Sequence, residues 1–279
     1  MKSFLLRYSR NYGAVAGLLV LLAVIALAVL APLVYEDSPW LMVAEPLTRP
    51  FTDGAYPFGT DMLGRDITAG LVYGARVSLL VGVISTGVAL VFGILIGSVA
   101  GYCGGRVDDV LMRFTEFFQT IPQLAMAVVI VAIFNPTIYS IVGAISVVSW
   151  PPVARLVRGE FLTLKQREFV QAAVVIGQKP LRIIFTQILP NAMSPIIVSA
   201  SFMVATAILT ESALAFLGLG DRNMMSWGFM IGAARTMIRE AWWMSVWPGV
   251  AILLTVLSIN LIGEGLNDAM NPQLRRRGE

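Results

Sequence analysis

Residues 163–192 read TLKQREFVQAAVVIGQKPLRIIFTQILPNA, a moderately polar run set between two strongly apolar segments. The stretch predicts a helix-turn-helix. Thr163 with Gln166 three residues on has the form of a capping box, and Gly177 is the residue type that ends helices in the left-handed conformation. Pro180 falls at the first position of a second helix, where its missing N–H costs nothing, and Pro190 is placed to end that helix. Along the first helix Phe169, Ala172 or Ala173, and Ile176 share a face, an apolar strip with two small residues in its middle. Small side chains there let another backbone approach. The alternative is an amphipathic loop that docks on nothing.

What flanks this run decides the class of protein. Of 279 residues, 57% are hydrophobic and 13% charged, with a mean hydropathy of +0.78. Soluble domains carry about 25% charged residues, so the chain reads as an all-α, multi-pass membrane protein. Its net charge of +3 and pI near 9.2 follow from the excess of Lys and Arg in inward-facing membrane loops and imply no nucleic acid. The single Cys103 excludes an internal disulfide, and the chain has no histidine. Without the commonest metal ligand and general base, a metal site and Ser-His or Cys-His catalysis are disfavoured.

Six spans are expected, at about 13–35, 77–101, 112–134, 137–155, 193–215 and 244–266. They divide the chain into an N-terminal part (1–76), a core (77–267) with a cytoplasmic loop at 156–192, and a tail (268–279). The uncharged run from Gly13 to Tyr35 is long enough to cross hydrocarbon; Ala26-Leu27-Ala28 could pass for a signal-peptide cleavage site, but the run exceeds a typical h-region. Residues 36–76 are polar, and Asp66 is placed to cap a short surface helix ahead of the second span. Asp61 and Asp66 invite a calcium reading, yet their spacing is not that of an EF-hand loop. In the second span Ser85, Ala89, Gly93, Gly97 and Gly101 recur every fourth residue, the mark of a helix-packing seam rather than of a flexible gating helix. Asn135-Pro136 reads as the start of the fourth span, which breaks at Trp150-Pro151-Pro152. Trp242, Trp243 and Trp247 at the entry to the sixth fit an interfacial belt.

Orientation follows from counting. With the N-terminus inside, the inward segments carry fourteen of the 20 Lys and Arg residues, which puts both termini and the 156–192 loop in the cytoplasm.

Few polar residues sit within the spans. Glu211 lies late in the fifth, where an ionisable group needs a partner or water; it either lines a pathway or forms an ion pair with Arg235 or Arg239. Asn260 and Ser258 either line a pore or hydrogen-bond between helices. Glu264 and Asp268 close the sixth span and are expected to be solvated. Residues 229–239 are expected to form an amphipathic outer helix with Phe229, Ala233 and Met237 on one face, a candidate contact for a binding protein.

The Gln171-Ala172-Ala173-x3-Gly177 pattern, with Leu189-Pro190 following, resembles the cytoplasmic loop through which ABC-importer permeases meet their ATPases; that family carries Glu where this chain has Gln171. Phe58-Gly59-Thr60-Asp61-Met62-Leu63-Gly64-Arg65-Asp66 and Tyr73-Gly74-Ala75-Arg76-Val77-Ser78 are similar to the N-terminal signature of the peptide and nickel branch. Phe216-Leu217-Gly218-Leu219-Gly220 also resembles the dipeptide-permease branch, and Asn260-Leu261-x-Gly263-x-Gly265-Leu266 is a further motif similar to the family's. The resemblance implies a type I importer transmembrane domain in a bacterial or archaeal cytoplasmic membrane. It implies as partners a second homologous permease, two ATPase subunits or domains that bind ATP and Mg, and an extracytoplasmic substrate-binding protein. It also implies that Glu168, Gln171, Ala172, Ala173, Gly177, Leu189 and Pro190 form the coupling loop. Peptides are the favoured substrate class, with nickel or another small solute second.

This chain has no Gly-x4-Gly-Lys phosphate loop and is therefore not the ATPase; no cofactor is expected on it. Gly218-Leu219-Gly220-Asp221 has the form of an intramembrane aspartyl-protease motif, but no span holds the second aspartate that such chemistry needs. A secondary transporter would show inverted repeats and a coupling-ion site, and neither is evident.

Overall fold

The computed structural model describes residues 8–35 and 38–270. Lys2, Arg7, the Asn271-Pro272 pair and the basic tail lie outside them. The helices are α1 (Tyr12–Val34), α2 (Ile67–Cys103), α3 (Gly105–Gln119), α4 (Gln123–Ile133), α5 (Ile138–Lys165), α6 (Glu168–Val175), α7 (Pro180–Leu219), α8 (Trp227–Ala234) and α9 (Trp243–Met270). α1, α2, α5, α7 and α9 are each long and apolar enough to cross a membrane. Main-chain groups in hydrocarbon can be satisfied only within such helices, which is why the apolar runs fold this way.

Side-chain bonds fix which ends lie together. Asn11 Nδ2 donates to Asp268 Oδ2 at 3.1 Å, and Lys165 Nζ donates to the Tyr102 carbonyl at 2.5 Å. At the other end Trp243 Nε1 donates to the Thr60 carbonyl, and Asp221 accepts the Ile138 N–H at 2.8 Å. α3 begins at the first end and α4 finishes at the second, so this pair crosses as one broken span, bent by 80°.

That bend corrects the straight third span expected over 112–134. Pro122 supplies no N–H, so the ladder stops at Gln119 and restarts at Gln123. α2 starts ten residues before the expected 77, because Asp66 accepts from the N–H groups of Thr68 and Ala69 at 2.8 and 3.3 Å and caps the long helix itself. α5 begins after Thr137, whose side chain exchanges bonds with Ser140, and not at Asn135-Pro136, where Asn135 is left-handed at φ 64°. It then runs through Pro151-Pro152 without breaking and continues to Lys165. Neither does Pro190 end a helix: five π-helical residues, Ile184–Ile188, precede it, and Asn191 Nδ2 bonds the Gln187 carbonyl at 2.6 Å. In a bilayer the main chain has no water to turn to, so helices continue past proline where side chains and wider turns take over the lost bonds.

The seam is continuous. A Cβ on Gly93 would lie 3.0 Å from the Trp150 carbonyl, on Gly97 2.4 Å from that of Ala154, and on Gly101 2.9 Å from that of Arg158. α2 and α5 thus meet backbone to backbone along three turns. The segment 38–66 forms a cap at the opposite end. There Asp61 Oδ1 accepts from the N–H groups of Leu63 and Arg65, Arg65 lies over the Trp40 ring at 4.8 Å, and Phe58 stacks on Trp247. Trp243 is buried and hydrogen-bonded and Trp247 is packed, so of the three expected belt tryptophans Trp242 is the exposed one.

Candidate functional site

Two helices and a turn build the projecting knuckle at the Lys165 end. Thr163 does not cap it: its hydroxyl donates to the Gly159 carbonyl inside α5, and α6 starts at Glu168 after Arg167. At the far end Gly177, φ 80°, donates to the Val174 carbonyl, and Gln178 donates to that of Ala173. This paired closure needs a left-handed residue, which glycine adopts without a Cβ penalty. Pro180 then opens α7 at its first position.

The faces of α6 differ from the expected strip. Val170 and Ala173 turn inward, packing with Phe161, Ile183 and Ile184, and Ala173 is 4% exposed. Phe169, Ala172, Val175 and Ile176 face outward, Ile176 at 77% exposure. Glu168, Gln171 and Gly177 lie on the same outer side. Leu181 and Phe185 at the start of α7 extend the apolar surface. The two alanines therefore divide their roles: Ala173 lets α6 sit close on the chain's own helices, and Ala172 is open to another molecule. Leu189 is half-buried and Pro190 exposed, both within the continuous α7.

Glu211 lies in the same helix, near the opposite end, and is 2% exposed. Ser226 Oγ donates to its Oε1 at 2.7 Å, and Ser226 in turn accepts the Phe229 N–H at 2.9 Å as the cap of α8. Gly228 packs directly on the carboxyl; a Cβ there would stand 2.6 Å from Oε2. The ion-pair alternative is thereby corrected: the carboxyl bonds Ser226 and does not pair with Arg235, whose Nη1 donates to the Phe216 carbonyl. α8 ends at Ala234, short of the helix expected over 229–239; it buries Trp227, Met230 and Ala234, while Phe229 and Met237 pack half-buried against the core and Ala233 is exposed. Trp227 anchors it, its main-chain N–H on Ser78 Oγ and its indole on the Leu71 carbonyl. Asn260 is half-buried in α9, and Ser258 donates to the Leu254 carbonyl within that helix rather than between helices. Glu264 and Asp268 are exposed.

One relationship was missed from the sequence. Arg158 Nε and Nη2 form a two-point ion pair with Asp108 Oδ1 and Oδ2, at 2.5 and 2.6 Å, tying α5 to α3. The available signal was Arg158 itself, a cation that needs a partner once α5 is known to continue past the prolines.

The described residues form five long apolar helices and one broken span, with a short helix projecting between the fourth and fifth crossings, the arrangement of a polytopic membrane domain. Residues 93–276 match the family described as binding-protein-dependent transport system inner membrane component, and residues 1–47 match the N-terminal TM domain of oligopeptide transport permease C. The chain is 40% identical to the di/tripeptide transport system permease protein DppC of Pseudomonas aeruginosa, over 99% of this chain and 93% of that protein. It is 40% identical to the dipeptide permease DppC of Bacillus subtilis (97% and 85% covered) and 38% identical to the oligopeptide permease OppC of Escherichia coli K12 (96% and 90% covered). Among solved structures, a chain of the MetNI methionine ABC transporter, seen in inward-facing conformations, superposes with a TM-score of 0.59 at 16% identity, covering 74% of this chain and 98% of that one.

The chain belongs to the family of inner-membrane permease components of binding-protein-dependent transport systems, and its fold is that of a type I ABC-importer transmembrane domain. It is a transport component rather than an enzyme, the membrane part of a system that also needs an ATPase and a binding protein.

Proposed function

We propose that this chain carries peptides into the cytoplasm by alternating access, as one of two homologous permease subunits in a heterodimer. ATP and Mg are bound by two partner ATPase subunits or domains, and a soluble receptor outside the membrane delivers the peptide. The observation that carries the substrate class is the near full-length match to permeases named for dipeptides, di/tripeptides and oligopeptides. Support for the coupling role comes from the exposed apolar surface of Phe169, Ala172, Val175 and Ile176, which suits a groove on an ATPase. α7 leads directly from this surface through 40 residues to the opposite end. At 1.5 Å per residue it is about 60 Å long, so closure of the ATPases around nucleotide would shift the spans as rigid bodies. The excess of Lys and Arg at the knuckle end supports a cytoplasmic location for it and for both termini.

The test is uptake of a labelled dipeptide into vesicles containing the chain, its partner permease, the ATPases and the receptor. Uptake that requires ATP and every component is expected. Solute carriage by this chain alone, without nucleotide, would overturn the reading.

A further inference from the structure

An open cavity of about 550 Å³ lies between α3 and α5, lined by Asp109, Met112, Arg113, Glu116, Arg155 and Arg158. Its depth can be read from the packing of the two helices. The Asp108–Arg158 pair marks the level near the knuckle end. Further along, Phe114 and Phe118 pack on the Trp150 ring, with centroids 5.9 and 5.4 Å away. α3 thus runs back along α5 into the bundle, and Arg113, Glu116 and Arg155 lie between the ion pair and the tryptophan. Among the described residues the only ion pair is Arg158 with Asp108, while Asp109, Arg113, Glu116 and Arg155 are all exposed on this face.

Gly97 of α2 packs on the Ala154 carbonyl, so Arg155 and its neighbours on α3 stand level with the exposed apolar Leu95, deeper than the loop ends at which the sequence count placed Arg113 and Arg155. At that depth ionisable side chains face water or a polar partner, because hydrocarbon offers them no solvation. This face is therefore not covered by lipid. α2 shows the contrast: its exposed Val83, Val91, Phe92 and Leu95 are purely apolar, as a lipid-facing surface requires. We propose that the α3–α5 face is a wet segment of the translocation path, and that its two signs of charge receive a zwitterionic ligand. Arg113 and Arg155 would meet the carboxylate of a peptide, and Asp109 and Glu116 its ammonium group. The ligand assignment rests on the peptide reading above; the water-filled face does not.

The experiment uses the full importer in vesicles, with Cys103→Ser as background. Glu116→Cys and Arg155→Cys are exposed singly to a membrane-impermeant thiol reagent, beside Phe92→Cys and Leu95→Cys on the apolar face. The first pair is expected to react at least about tenfold faster than the second, since solvated thiolate is the reactive form. Equal rates, or no reaction of Glu116→Cys and Arg155→Cys in the assembled complex, would overturn the wet path and indicate burial against another subunit. For the ligand, Arg155→Gln and Glu116→Gln are each expected to lower dipeptide uptake at saturating receptor about tenfold, whereas Arg155→Lys and Glu116→Asp keep it within about twofold. Co-purification of the partners confirms assembly of each variant. Wild-type uptake in both neutral variants would overturn the ligand role. Failure of the wild-type importer to move any dipeptide would instead sink the peptide reading, with the labelling result still deciding the wet face.

Discussion

Ser226 reaches across from the start of α8 to donate a 2.7 Å hydrogen bond to the buried carboxyl of Glu211 in α7, while its own oxygen accepts the Phe229 N–H. One hydroxyl thus closes a helix end and holds that helix to a membrane span. Ser226→Ala removes both bonds and is expected to cost about 1–3 kcal/mol. Glu211→Gln keeps a carbonyl oxygen as acceptor and should cost less. Gly228→Ala should cost at least as much as Ser226→Ala, because the added methyl would sit against the carboxyl. Unfolding of the solubilised chain by denaturant ranks the three; a silent Gly228→Ala would contradict the packing described.

The Asp108–Arg158 pair should behave as a partly buried one, since the Arg158 side chain keeps 35% exposure and that of Asp108 keeps 11%. Removing one partner of a fully buried pair costs about 3–5 kcal/mol. Solvent contact lowers the expectation for Asp108→Ala to about 1–2 kcal/mol. A double-mutant cycle with Arg158→Ala measures the coupling, and additivity of the two variants would show that the contact contributes nothing.

The seam between α2 and α5 predicts a sharp contrast between two glycines of the same helix. Gly97→Leu would drive a side chain into the Ala154 carbonyl and Val157, forcing the helices apart at a cost of about 3 kcal/mol. Gly87 faces open space, and Gly87→Ala is expected to be neutral or stabilising by up to about 1 kcal/mol. Thermal unfolding in detergent separates them.

At the knuckle, burial predicts opposite failures for neighbouring residues. Ile176→Asp changes a side chain 77% exposed and should alter the chain's own stability by about 0.5 kcal/mol or less. Receptor-stimulated ATP hydrolysis and uptake in the assembled importer should nevertheless fall together. Ala173→Asp places a charge among Phe161, Ile183 and Ile184 and should destabilise the chain by about 3 kcal/mol or more. Loss of folding in both variants, or normal uptake in both, would refute the division of faces.

Much of this was written in the one-dimensional pattern. Apolar runs long enough to cross hydrocarbon, the four-residue recurrence of Gly93, Gly97 and Gly101, and Gly177 followed by Pro180 are local or periodic features, so their structural consequence travels with the sequence. The number of crossings and the membrane fold were legible for that reason. What the tertiary structure alone decided are the contacts between residues far apart in the chain. Proline signals at 151–152 and 190 were misleading, because in a bilayer the main chain has no better option than to stay helical. The start of α5 was set by Thr137 with Ser140 and by Asp221 from 83 residues away. Likewise Glu211 found a serine rather than an arginine, Ala173 and Ala172 parted to opposite faces, and Arg155 came to share a cavity with Glu116. Periodicity specifies which residues share a helix face; only the packing of helices determines what that face meets.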